Sequence, residues 1–111
     1  MPERIVKSIL TNQEVTSAVM CSKTGTLIAQ GKSPDPESEI TFGAALMGKA
    51  ESIGDFLDSG NLERIVITGP ENRYYLQQQE DDLLLLSLTK RSSVETVHEL
   101  VQTIYKRYQS A

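Results

Sequence analysis

Few residues in this chain could do covalent or metal chemistry, and their setting argues against it. A metal centre needs three or four ligands at short spacing, and neither His98 nor Cys21, the single residue of each type, has a Cys/His/Asp cluster around it. Nothing near Cys21 suggests a lowered pKa, and in a run of β-branched and small residues it reads as a small buried hydrophobe. His98 borders an apolar helical stripe and reads as a boundary residue covering the core. The carboxylates Asp81 and Asp82 are adjacent, so their side chains point apart. Gly31-Lys32-Ser33 preceded by Gly25 approaches a phosphate-binding loop. That motif needs four residues between its glycines, whereas five, Thr26 to Gln30, stand here. Pro34-Asp35-Pro36 also follows where a helix should start at once, so the segment reads as the end of a strand. No nucleophile, base and oxyanion-donor constellation can be assembled. The expectation is a protein that is not an enzyme, with no metal and no cofactor.

The surrounding chain sets what such residues can be built into. Its 111 residues suit one domain over 1–111 with one modest core. No apolar run is long enough to span a membrane and no signal peptide is visible, so neither membrane insertion nor secretion is expected. The unpaired cysteine and the lack of an Asn-x-Ser/Thr site point to a reducing, cytoplasmic setting. A net charge of −4 disfavours nucleic acid as a partner. The charge is unevenly placed: residues 35–82 hold eleven acidic and three basic side chains, whereas each end holds four basic and two acidic. This acidic middle reads as solvated turns and helix faces, or as a patch that steers a basic partner.

Periodicity gives the element order. Pro2 to Leu10 reads as a short helix, with Pro at the first helical position. Val15 to Cys21 is a strand apolar or small on both faces, and Lys23-Thr24-Gly25 turns it into a second strand, Thr26 to Gln30. The proline-containing segment from Gly31 to Ser38 reads as a loop. A long helix follows from about Glu39 to Ser59, stopping at Gly60. Three strands come next: Arg64 to Thr68, Arg73 to Gln79 and Leu83 to Thr89. Val94, Val97, Val101, Ile104 and Tyr108 mark a final helix, with Ser92 and Glu95 matching a capping box. The hairpin-length connections predict an α/β (α+β) domain with a mainly antiparallel sheet.

The long helix carries the strongest functional clue. With Leu46 at zero and about 100° per residue, Phe42 falls near −40°, Ala50 near +40°, Gly43 near +60°, Gly54 near +80° and Met47 near +100°. Apart from Lys49 this broad arc lacks charge, and it is wider than one sheet face can cover. Either a terminal helix covers the second flank, or a second copy does through Gly43, Met47, Ala50 and Gly54. The opposite face, Ala44, Gly48, Glu51 and Asp55, is acidic with two small positions and is a candidate second contact surface.

In this order of elements the chain resembles the Roadblock family, named for the dynein light chain. The residues that carry the likeness are Val15 to Ala29, with their glycine turn, the Ala-rich helix from Ala44 to Gly60, Ile65-Val66-Ile67, the Leu83 to Leu88 strand and the final helix. The resemblance implies a five-stranded antiparallel sheet with the long helix on one face and the terminal helices on the other, an architecture shared with profilin- and longin-like folds. It also implies dimers, with itself or a related subunit, through the long helix and the strand holding Ile65, Val66 and Ile67. Such dimers are platforms for small Ras-like GTPases, or adaptors in dynein and scaffold complexes. Lys23-Thr24 departs from the acidic residue often found before the turn glycine. A GTPase regulator binding through Ala44, Gly48, Glu51 and Asp55 is the leading expectation. A structural adaptor and a small-ligand sensor domain are the alternatives, and the sensor requires a pocket.

Overall fold

The computed structural model describes residues 2–56, 64–79 and 81–109. Among these the chain forms α1 (Pro2–Leu10), β1 (Val15–Ser22), β2 (Leu27–Gly31), α2 (Pro36–Phe56), β3 (Arg64–Thr68), β4 (Asn72–Gln79), β5 (Asp82–Thr89) and α3 (Val94–Gln109). The strands make one sheet in the order β2-β1-β5-β4-β3, with every pairing antiparallel. The central place of β5 explains its composition. Leu83 to Leu86 and Leu88 are all buried because both faces of that strand are covered.

The two faces have separate cores. α1 and α3 lie together on one face, where Val6, Ile9, Ala18, Met20, Tyr75, Leu84, Leu86, Leu88, Val97 and Val101 pack. α2 lies on the other, where Ile40 and Met47 meet Val19, Cys21, Leu76, Leu83 and Leu85. The terminal helices therefore do not cover the second flank of α2. They are committed to the opposite side of the sheet.

Local chemistry sets the element ends. Gly25 has φ of 91°, a left-handed conformation that a β-carbon disfavours, and its N–H donates to the Ser22 carbonyl at 3.0 Å. The strand ends shift by a residue at most, and two helix starts differ from the sequence-based expectation. The long helix starts a turn earlier, at Pro36 rather than Glu39. Asp35 is its N-cap, accepting from Ser38 N–H at 3.2 Å and Ser38 Oγ at 2.8 Å, and Pro36 takes the first helical position, where its missing N–H costs nothing. These hydrogen bonds lower the Asp35 pKa from its ordinary value. The expected stop at Ser59 and Gly60 lies outside the described residues. The cap of α3 is Ser93, whose Oγ accepts from Thr96 N–H at 3.3 Å, not Ser92. Ser92 is buried and otherwise engaged: its Oγ donates to the Thr89 carbonyl at 2.8 Å, and its own carbonyl accepts from Arg73 Nη1 at 2.8 Å.

Candidate functional site

The helix α2 packs mainly over β1, β2 and β5 and meets Leu76 of β4, and among the described residues it leaves part of the sheet face toward β3 and β4 open. Between its N-terminal half and those strands lies an apolar groove of about 400 Å³. Phe42, Gly43 and Leu46 form the helix wall, while Ile65, Ile67, Tyr74 and Leu76 form the strand wall over Leu85. Strand register explains the second wall. Ile65 pairs with Leu76 and Ile67 with Tyr74, so all four side chains stand on the α2 side. Phe42 is 64% exposed and Tyr74 47%, two large aromatic groups at the rim of an unfilled hollow. Among the described residues nothing pairs with the outer edge of β3, so groove and open edge are continuous.

The residues expected at a second-copy interface are not all on this surface. Gly43 and Met47 are buried, Met47 to 3% exposure, because they face the chain's own sheet. The helix is rotated by about a quarter turn from the orientation centred on Leu46, so its Ile40, Gly43 and Met47 stripe meets β1 and β5. The reason is packing distance, since Gly43 lets the helix settle against Leu85 where a larger residue could not. Ala50 is half-buried. Ile65 and Ile67 line the groove, whereas Val66, 38% exposed, stands on the other face with its cross-strand partner Tyr75. The surroundings of Gly54 and Asp55 lie outside the described residues.

On the other flank, Ala44 packs partly against the core, and Gly48 is exposed with no atom within 4 Å of where a β-carbon would stand. Glu51 is half-buried. In the orientation its neighbours dictate, the Gln78 amide donates to Glu51 Oε1 at 2.6 Å and accepts from Lys23 Nζ at 2.8 Å. That bridge fastens the helix to β4 and to the β1–β2 turn.

Sequence reasoning missed Phe42 and Tyr74 as site residues. A signal for Tyr74 was present, since counting back across the Gly69-Pro70 turn places it beside Ile67 on the edge strand. The titratable groups behave as structural ones. Cys21 is fully buried, and burial, with the Asp82 charge adding to it, raises its thiol to about 11. Thiol reagents at pH 8 should therefore leave the folded protein unmodified and label it only after denaturation, as mass spectrometry of the intact chain would show. The sign for stability follows: the folded state disfavours thiolate, so stability is lost as pH rises above the ordinary thiol value of 9.0 toward 11.

His98 holds a polar contact across the α3 face. The Tyr75 hydroxyl donates to Gln77 Oε1, and His98 Nδ1 lies 2.8 Å from the same hydroxyl. Gln77 Nε2 donates to Gln79 Oε1 at 3.3 Å, which fixes the Gln77 amide as acceptor toward Tyr75. Burial raises the Tyr75 pKa, with Arg64 beside it pulling the other way. Among the described residues no group of three or more His, Cys, Asp or Glu could hold a metal. No helix there is long and apolar enough to cross a membrane.

A sheet with one long helix on one face and two terminal helices on the other is a profilin-like architecture. The Roadblock/LC7 domain model matches residues 1–89, and the chain belongs to that family. A Roadblock/LC7 domain from Streptomyces avermitilis is similar, with a TM-score of 0.86 at 15% identity over 97% of this chain and 94% of that one. Myxococcus xanthus MglB gives 0.79 at 14% identity over 98% and 92%. Acanthamoeba castellanii profilin IB gives 0.69 at 13% identity over 98% of each chain. No curated protein matches the chain. At these identities the structural likeness establishes the fold.

Proposed function

We propose that two copies of this chain, or one copy and a related subunit, pair through the groove and the β3 edge to form a non-enzymatic platform for a small Ras-like GTPase in the cytoplasm. The observation that carries the pairing is the continuity of the groove with an open edge strand. A two-fold axis beside β3 adds strand to strand and brings each apolar rim over the other groove in one step, as a self-complementary interface requires. The contact residues are then Phe42, Leu46, Ile65, Ile67 and Tyr74, with Ala50 and Val66 at the margins. Gly43 and Met47 support the interface from behind.

Membership of the Roadblock/LC7 family supports the GTPase as partner, since the family resemblance implies dimers that serve as platforms for small Ras-like GTPases. The face with Ala44, Gly48, Glu51 and Asp55 is the proposed contact, because Gly48 leaves open room for a partner's backbone. Pull-down against small GTPases loaded with GTP or GDP tests this reading. Binding in at least one state, with a changed rate of hydrolysis or exchange, is expected. Binding without a rate change would leave a platform that scaffolds a GTPase without regulating it, and no interaction in either state would overturn the GTPase reading in favour of an adaptor that grips a peptide or another subunit. The groove itself favours one other reading, a small-ligand sensor, and native mass spectrometry would show that ligand as added mass on the purified protein.

A further inference from the structure

We propose that Gly43 is the positioning residue that sets the shape of the groove, acting through Leu85 to keep the hollow open for a second copy. The inference rests on the self-association reading above and adds to it a residue that the second copy need not touch. A β-carbon at position 43 would lie 2.7 Å from Leu85 Cδ2, 3.0 Å from Cδ1 and 3.5 Å from Cγ. The first distance is one that real β-carbons essentially never show, so something must move. Two movements could relieve it, and both alter the groove.

The first is a swing of the Leu85 side chain. Across the sheet Leu85 is flanked by Val19 on β1 and Leu76 on β4, both buried, so the direction left to its isobutyl group is the groove it already lines. The second is a lift of α2 away from β5. Because Phe42 and Leu46 stand on the same helix turns as Gly43, a lift carries the helix wall away from Ile65, Ile67 and Tyr74. A filled groove and a splayed groove are both poor receptors for a rigid apolar surface, since contacts are lost steeply with sub-ångström gaps or overlaps. The strain therefore reaches the interface as well as the core.

The test is a cycle of Gly43→Ala, Leu85→Val and the double variant, each measured for self-association by sedimentation and for folding by circular dichroism and thermal melting. Valine at 85 removes the reach of the two δ-methyl groups while suiting a strand. Gly43→Ala should weaken self-association at least about tenfold. The double variant should return to within about threefold of Leu85→Val alone, because the clash has been removed. A Gly43→Ala protein that associates as tightly as wild type overturns the proposal, as does a double variant that recovers nothing. Should Gly43→Ala fail to fold, the comparison of the double variant with Leu85→Val decides alone. A wild-type protein that is monomeric throughout overturns the pairing reading itself, and this inference with it.

Discussion

Ile67→Lys is expected to leave the chain folded and to weaken its pairing about a hundredfold. Ile67 lies on the open edge strand and contributes to the strand wall of the groove, but it is only half-buried in a single copy. In the free chain its ammonium can reach water from the edge, so the cost in folding stability should be of order 0.5 kcal/mol, the scale of ordinary surface changes. In a pair the same group would be enclosed by an apolar surface without a counter-charge, and edge lysines are a recurrent device against strand addition. A penalty of about 3 kcal/mol is reasonable, roughly a hundredfold in the dissociation constant. Sedimentation at tens of micromolar and a thermal melt together check it. A variant that remains paired with an unchanged melt would remove β3 from the interface.

Leu84→Ala is expected to have the opposite signature. Leu84 is 0% exposed in the middle of the central strand, on the face covered by α1 and α3, and lies remote from the groove. Deleting its branched end removes buried apolar contacts from a core that cannot collapse freely around β5. The expected loss is about 2–5 kcal/mol, read as a lower urea midpoint at an unchanged slope. Against a typical domain stability of roughly 5–15 kcal/mol, that is a large fraction. Self-association of the molecules that remain folded should be unaffected. Phe42→Ala gives the complementary contrast, because a ring 64% exposed contributes little to folding and its loss should appear in pairing. Together these variants separate the residues that build the fold from those left over for a partner.

Much of this architecture is legible in the sequence because it rests on local rules. The bounds of α1 and β3 match the apolar patterns directly, and the Lys23-Thr24-Gly25 turn holds a left-handed glycine where a glycine was needed. The paired apolar faces of β1 and β5 placed both strands inside a covered sheet, and they are neighbours at its centre. The helix starts were harder, although their signals were present. Asp35-Pro36 is an N-cap followed by a first-turn proline, yet within a proline-rich stretch it also resembles a loop. Ser92 and Ser93 offer two caps one residue apart. The choice falls to Ser93 because Arg73 and Thr89, distant in sequence or set by the strand, take up Ser92.

What the sequence determined by itself is the set of elements, the mainly antiparallel pairing and the excess of apolar surface on the long helix. Those follow from periodicity, turn chemistry and composition, each of which acts over a few residues. The rotation of α2 was decided only by tertiary packing. A helical wheel weighs residues by hydrophobicity, and on that measure Phe42 and Leu46 outrank Gly43. Packing weighs how closely two elements can approach, and there the missing side chain of Gly43 wins because it admits Leu85. Gly43 and Met47 were therefore taken up by the chain's own sheet, and Phe42 and Leu46 were turned toward the groove. The surface available to another molecule is set by that distance of approach.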